Sequence, residues 1–116
     1  MEITWTEQSR FLIVQIDGEI DHHSADTIRA AVDKAYERTN AKHIIFDMAR
    51  VGFMDSSGVG LLIGRYRAAE GMGGKVYAVG MREPLRRLFD LAGLTKIIKC
   101  HDTAADAMTE GGARHA

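Results

Sequence analysis

The sequence predicts a single α/β domain, built on a mixed sheet of four or five strands and flanked by about four helices. Apolar runs of strand length alternate along the chain with segments whose apolar residues recur at helical spacing. The connections between them are short, which favours mostly parallel strands joined by helices that cover the sheet. The 116 residues contain no linker or low-complexity tract, so we expect one domain over residues 1–110 and a flexible tail over 111–116.

The first half of the chain predicts a hairpin, a helix and a buried strand. A short strand around residues 3–6 is expected to pair with a strand in residues 11–20, which begins with an apolar run and is broken by Gly18. Residues 24–38 carry apolar side chains at the spacing of an amphipathic helix. Residues 43–48, HIIFDM, are a short apolar run typical of a buried strand.

The second half predicts a helix that begins after Asp55, followed by four more elements. Pro84 in a first turn and Gly93 just past a last turn are the expected punctuation of a helix. The four further elements are a strand at 75–80, a helix at 83–93, a strand at 95–100 and a helix at 102–110.

The stretch FMDSSGVGLLIG, residues 53–64, places an acidic residue and two serines where a strand should give way to a helix. Asp55 is suited to be the N-cap, because its carboxylate can accept hydrogen bonds from the free amides of the first turn. Beyond it, Ser56, Gly60 and Gly64 form a face of small groups. Glycine inside a helix costs about 1 kcal/mol relative to alanine. Gly60 and Gly64 therefore predict the close approach of another backbone. The predicted apolar stripe consists of Val59, Leu62, Ile63 and Tyr66.

The sequence comes close to three motifs for catalysis or phosphate binding but completes none of them. A nucleophile elbow needs a glycine where Met54 stands, and nothing in the sequence places a histidine base near Ser56. A P-loop would need glycine at Ala69 and Ser or Thr at Val76, and a dinucleotide fingerprint would need glycine at Ile63. We therefore expect neither enzymatic activity nor a bound cofactor.

A second polar cluster, EIDHHSAD, occupies residues 19–26. Asp21, His22 and His23 resemble metal ligands, but neighbouring residues on a turn point apart and no H-x-x-x-H pattern accompanies them. We expect no metal site. Asp21 or Ser24 can instead cap the next helix, which leaves a surface role open for the same loop.

Composition narrows the partners and the compartment. Fifteen Lys and Arg residues against sixteen Asp and Glu residues give a formal charge of −1, which implies no general attraction to nucleic acid or to an anionic membrane. The single Cys100 cannot form an internal disulfide and suits a reducing compartment. The sequence contains no apolar segment of membrane-spanning length, and MEITWTEQSR lacks the pattern of a signal peptide. A cytoplasmic location is expected, with no direct nucleic-acid or membrane partner.

Three stretches of the chain together resemble the STAS domain of bacterial anti-sigma factor antagonists, and especially the sporulation members of that family. They are GEIDHHSADTIR, HIIFDMARVGFMDSSGVGLLIGRY and PLRRLFDLAGLTKII. The similarity runs from about residue 3 to about residue 108, in the order expected for one domain.

The resemblance implies a regulator of transcription rather than an enzyme. Members of the family bind an anti-sigma factor that is also a serine kinase, and thereby free a sigma factor. The kinase phosphorylates the serine that follows Asp in D-S-S-G, which here is Ser56, and a PP2C-type phosphatase removes the phosphate. The added charge of about −1.5 to −2 should block docking while the fold stays intact. The alternatives are a STAS module of a stress-response assembly, or a domain that senses a small ligand or nucleotide.

We expect the partner-binding surface to consist of three segments that each follow a strand and precede a helix. They are the turn at 21–22, the cap at 55–57 and the loop at 80–84. A doubly wound topology would bring them to one edge of the sheet. The predicted partner-binding residues are Asp21, His22, Asp55, Ser57, Gly58, Arg82 and Glu83.

Overall fold

The structure, a computed structural model, describes residues 1–112 and contains one five-stranded mixed sheet in the order β1-β2-β3-β4-β5. Strand β1 is antiparallel to β2, and β2 to β5 are parallel to one another. The strands are β1 (Glu2–Gln8), β2 (Phe11–Asp17), β3 (His43–Arg50), β4 (Val76–Val79) and β5 (Lys99–His101). The helices are α1 (Ala25–Arg38), α2 (Ser56–Gly71), α3 (Leu85–Leu91) and α4 (Ala104–Glu110). The predicted fold class is confirmed.

The helices are divided unequally between the two faces of the sheet. Apolar side chains of α1, α2 and α3, represented by Ile28, Leu62 and Leu85, share one core with the strands. Helix α4 covers part of the opposite face, where a smaller cluster is formed by Phe11, Ile45, Tyr77, Val79 and Ala107. This arrangement follows from the strand order, because right-handed crossovers that all step in one direction place their helices on one face.

The expectation of a doubly wound topology is therefore wrong. The strand order never reverses along the sheet, so there is no switch point between two halves. The carboxyl ends of β2 to β5 nevertheless meet at one edge, because these strands are parallel. We call this the carboxyl-end edge, and it is where the three predicted segments lie.

The strand predicted at residues 95–100 is largely wrong. Leu94–Lys96 forms a 3₁₀ turn, and strand β5 begins only at Lys99. Gly93, with φ 76°, ends the helical segment and starts this turn. The amide of Ile98 then donates to the carbonyl of Leu94 at 2.8 Å. Of the two isoleucines that suggested a strand, Ile98 is buried in the main core from the bend after this turn, and Ile97 packs against that core partly buried.

Two expectations about α2 are corrected. A Cβ added at Gly60 or Gly64 would meet nothing within 4 Å, so the predicted close approach of another backbone is wrong. Of the predicted apolar stripe only Leu62 is fully buried. The other buried positions of the helix are Gly58, Leu61 and Ala69.

The described residues include the first two residues of the tail predicted at 111–116. The amide of Gly111 donates to the carbonyl of Ala107 at 3.0 Å, which closes the last turn of α4. Residues 113–116 of the predicted tail lie outside the described residues. Within residues 1–112, no helix has both the length and the apolar character that crossing a membrane requires.

Candidate functional site

The first two predicted segments are joined by backbone hydrogen bonds at the carboxyl-end edge. The amide of Ile20 donates to the carbonyl of Phe53 at 3.1 Å, and the amide of Asp55 donates to the carbonyl of Ile20 at 3.1 Å. Ile20 and Met54 accordingly form an isolated parallel bridge. The segments beyond β2 and β3 thus continue the pairing of the sheet and hold each other in place.

Asp55 adds a side-chain link between the same two segments. One carboxylate oxygen accepts from the amide of Ser57 at 2.8 Å, which confirms the predicted N-cap of α2. The other carboxylate oxygen accepts from the amide of His22 at 3.2 Å. A single side chain therefore satisfies an orphan amide of the helix and fastens the first loop to it.

The two serines of the motif differ in their exposure. Ser56 is the first residue of α2 and is exposed, whereas Ser57 is half-buried. Ser57 lines an open groove of about 380 Å³ between α1 and α2, together with Gly60 and Gly64. Of the pair, Ser56 is the more exposed side chain.

Asp21 organises the turn before α1. Its carboxylate accepts from the amides of His23 and Ser24, both at 3.0 Å. The bond from the Ser24 amide is the main reason that the pKa of Asp21 lies below its usual value. Ser24 is the N-cap residue, yet its hydroxyl accepts from the Asp21 amide and donates to the carbonyl of Glu19 instead of capping α1. His22 and His23 are exposed on this turn.

Gly58 has a packing role. It is buried, and an added Cβ would lie 2.8 Å from Met54 Sδ and 3.0 Å from Ile20 Cγ2. Only a residue without a side chain lets the first turn of α2 rest on these two neighbours. The structure therefore places Gly58 beneath the predicted surface, where it makes the surface possible without being exposed on it.

The third segment joins the same edge through the end of β3. Arg82 is exposed, and its guanidinium donates to the carbonyl of Ala49 at 3.0 Å. Gly80 turns the chain with φ 74°, and a Cβ there would lie 3.1 Å from Ala49 Cβ. Glu83 follows and is exposed. The structure thus brings all three predicted segments to the carboxyl-end edge.

Sequence reasoning missed two features of this region. Phe53 is 47 % exposed although it adjoins the buried Met54. An aromatic residue between a buried strand and a helix cap was the available signal. Arg65 is largely buried between α2 and α1 and lies 3.0 Å from Asp33. No pattern in the sequence indicates this ion pair, because its partners are far apart in the chain.

The polar groups of the region do not gather around a common centre. The rings of His22 and His23 pack edge to face, with their centroids 5.6 Å apart. Among the residues that the structure describes, no three His, Cys, Asp or Glu side chains are grouped so that they could hold a metal ion. Burial raises the pKa of the Cys100 thiol, which disfavours its reactive thiolate form.

Comparison with known proteins gives consistent results. The STAS domain family matches residues 2–107. An anti-sigma F factor antagonist of Paenibacillus polymyxa is 36 % identical over 110 residues, which cover 95 % of this chain and 94 % of that protein. The anti-sigma factor antagonist SpoIIAA in its unphosphorylated form superposes with a TM-score of 0.72 at 26 % identity, covering 94 % of this chain and 96 % of that one. The Bacillus cell fate determinant SpoIIAA in its phosphorylated form gives 0.71 at 29 % identity, covering 94 % and 98 %.

The family match and the antagonist of Paenibacillus polymyxa both extend over almost the whole described chain. This protein belongs to the STAS domain family.

Proposed function

We propose that this protein is a cytoplasmic anti-sigma factor antagonist, which binds an anti-sigma factor and so releases a sigma factor for transcription. Its role is regulatory binding rather than catalysis, and residues 1–110 are the functional domain. The observation that carries the proposal is the geometry around Asp55. Its carboxylate ties the loop at His22 to the first turn of α2, so that the exposed Ser56 stands on a pre-organised surface. The 36 % identical relative from Paenibacillus polymyxa, named as an antagonist of this kind, supports the same function.

The proposed partner is also a serine kinase, and Ser56 is its target. Ser56 is exposed at the start of α2, while Ser57 is half-buried and its amide is engaged by Asp55. Both carboxylate oxygens of Asp55 accept from backbone amides, so Asp55 is poorly placed to activate a serine hydroxyl. The general base for phosphoryl transfer would come from the kinase.

Phosphorylation would end the interaction through local charge. A phosphate on Ser56 adds about −1.5 to −2 charge and would stand in the interface beside the remaining phosphates of the kinase's nucleotide. The amino end of α2 tolerates an anion well, because the free amides of a helix N-terminus carry positive partial charge. The modification should therefore separate the partners while leaving the fold intact. A PP2C-type phosphatase would restore the binding form.

The docking surface includes the neighbouring polar groups of the carboxyl-end edge. These are Asp21, His22, Asp55, Ser57, Arg82 and Glu83, with Gly58 supporting them from below. Asp21 also closes its own turn. Substitution with asparagine, which keeps a hydrogen-bond acceptor and removes the charge, is therefore the informative change at this position.

The proposal is tested by intact mass after incubation with ATP and the host's homologue of the anti-sigma F factor. Wild type and Ser57→Ala should gain one phosphate, and Ser56→Ala should gain none. Ser56→Ala should change the free energy of unfolding by no more than about 0.5 kcal/mol, as for most surface substitutions, and should still bind the kinase. Phosphate on the Ser56 variant but not on the Ser57 variant would move the site by one residue. Incorporation into both variants would refute the proposed switch.

A further inference from the structure

Phe53 is a large apolar side chain left exposed beside the proposed docking surface, two residues before the cap at 55–57. Five large hydrophobic residues are exposed within residues 1–112, and of these only Phe53 lies in the two stretches joined by the Ile20–Met54 bridge, residues 18–24 and 51–58. The residue is 47 % exposed, close to the 44 % of Trp5 on the outer strand β1. Single exposed hydrophobic residues are common on protein surfaces, so position and rigidity must decide whether this one has a role.

The backbone fixes Phe53 in its outward position. Its carbonyl accepts from the amide of Ile20 at 3.1 Å. The next residue, Met54, points inward, is 3 % exposed and fills the space left by Gly58. With Met54 occupying the core, Phe53 cannot turn inward without breaking the bridge between the two segments. An aromatic ring on a fixed backbone loses little conformational entropy when a partner covers it.

The two bridged segments that hold Phe53 are acidic in sequence. The basic groups next to them are engaged elsewhere: Arg50 lies 3.6 Å from Asp17, and Arg82 donates to the carbonyl of Ala49. The two bridged segments, residues 18–24 and 51–58, contain Glu19, Asp21 and Asp55 and no Lys or Arg. Glu19 is exposed and the carboxylate of Asp21 is partly so, whereas that of Asp55 is engaged by amides. A buried aromatic anchor surrounded by a polar rim is the usual form of an interface hot spot. The charges of this rim favour a partner surface that carries basic groups.

We propose that Phe53 is the apolar anchor of the interface, and that it inserts into an apolar pocket of the anti-sigma factor with basic groups on the side that faces Glu19 and Asp21. This inference rests on the proposed function and adds to it the source of the binding energy. It also separates two roles on one surface: Phe53 supplies affinity, and Ser56, three residues further along the chain, supplies the switch.

The test is calorimetric titration of the host's anti-sigma F factor homologue with wild type, Phe53→Ala and the matched control Trp5→Ala. Phe53→Ala should weaken binding at least tenfold, which corresponds to about 1.4 kcal/mol. Trp5→Ala removes an equally exposed aromatic ring outside the edge and should bind like wild type. Thermal melting of each variant checks the fold, and Phe53→Gln, which keeps a long side chain, replaces Phe53→Ala if the latter melts early.

Glu19→Lys tests the charge of the partner surface. It should bind more weakly than wild type at 0.1 M salt and differ less from wild type at 1 M, where charges are screened within about 3 Å.

The outcomes distinguish this inference from the proposed function. Absence of binding by wild type would overturn both. Normal binding by folded Phe53→Ala and Phe53→Gln, while Ser56 remains the phosphorylated residue, would overturn the anchor alone. Sedimentation showing a dimer of wild type that Phe53→Ala dissociates would assign the ring to contact with a second copy, and would overturn the inference as well. Equal affinity of Glu19→Lys and wild type at both salt concentrations would refute the basic surroundings of the pocket.

Discussion

The two ends of the parallel strands in this domain are built for different purposes. At the carboxyl-end edge, Phe53 and Ser56 are exposed, and the floor of the neighbouring groove is bare at Gly60. At the opposite end, which we call the amino-end edge, Gly74 is buried and an added Cβ would overlap the backbone carbonyl of Lys42. The carboxyl-end edge thus exposes side chains to solvent, whereas at the amino-end edge neighbouring backbones pack closely at Gly74.

Two glycines, Gly74 and Gly60, therefore have opposite roles at the two edges. Gly74 is required by the chain that passes beside it, and its amide donates to the carbonyl of Ala69 at 2.7 Å. Gly60 has no neighbour within 4 Å that a methyl group would meet. Its cost in helix stability is offset by no packing gain within residues 1–112. Apart from the packed positions Gly58 and Gly80, stability should thus depend more on the amino-end edge, and partner binding on the carboxyl-end edge.

The largest effect is expected from Gly74→Ala. The methyl group would collide with a backbone carbonyl, which cannot move aside as a flexible side chain can. Overpacking usually costs about 1–3 kcal/mol, and we expect this variant to lie near the upper value in urea unfolding. The matched change at the other edge, Gly60→Ala, should instead stabilise the protein by up to about 1 kcal/mol through helix propensity. Equal effects of the two substitutions would refute the contrast between the edges.

A smaller effect on stability is expected from Asp55→Ala, because Asp55 both caps α2 and holds the exposed residues of the carboxyl-end edge in place. The substitution removes the N-cap bond to Ser57 and the bond to the amide of His22. Loss of an N-cap costs about 0.5–2 kcal/mol, and we expect a value in the upper half of this range from thermal unfolding. Asp55→Asn should lose less, because its amide oxygen can still accept from one of the two amides. If the alanine variant is as stable as wild type, the carboxylate does not hold the edge together.

The sequence allowed the architecture and the centre of the site to be predicted. Alternating apolar runs indicate strands and helices, and a carboxylate before a helix has an evident use, so the sheet and the Asp55 cap were both confirmed. Strand order was not predictable in the same way. Periodicity shows which face of an element is buried, but it does not show beside which strand that element lies.

Neighbours distant in the chain account for the remaining differences. The sequence shows that Gly58, Gly60 and Gly74 lack a side chain, but it does not show what a side chain would meet there. The apolar residues near Ile98 suggested a strand, because burial from a 3₁₀ turn produces the same composition. Phe53 was missed because its exposure depends on Met54 taking the inward position.

The smallest expected effect is on the pH dependence of stability, to which one titrating group at each edge contributes. At the amino-end edge, the pKa of His43 lies below its usual value, mainly because of burial and also because of the nearby cations of Lys42, Lys75 and Arg10. The imidazole Nδ1 accepts from the amide of Lys75 at 3.0 Å, a bond that requires this nitrogen to be unprotonated. The pKa of Asp21 at the carboxyl-end edge is also lowered, but from 3.8 rather than from 6.5.

The two groups should therefore reduce stability in separate pH windows. Above pH 6.5 His43 is neutral in both states and its contribution is complete. As the pH falls below 6.5, the unfolded chain binds a proton that the folded protein resists, so stability decreases until the lowered pKa of the folded state is passed. The contribution of Asp21 is present above pH 3.8 and is lost only below that pH.

Melting temperatures between pH 8 and pH 5 should fall for wild type and for the control His23→Gln. They should fall less for His43→Gln, whose amide oxygen accepts from the amide of Lys75 at every pH. An equal decline in all three proteins would show that the amino-end edge does not depend on a neutral imidazole.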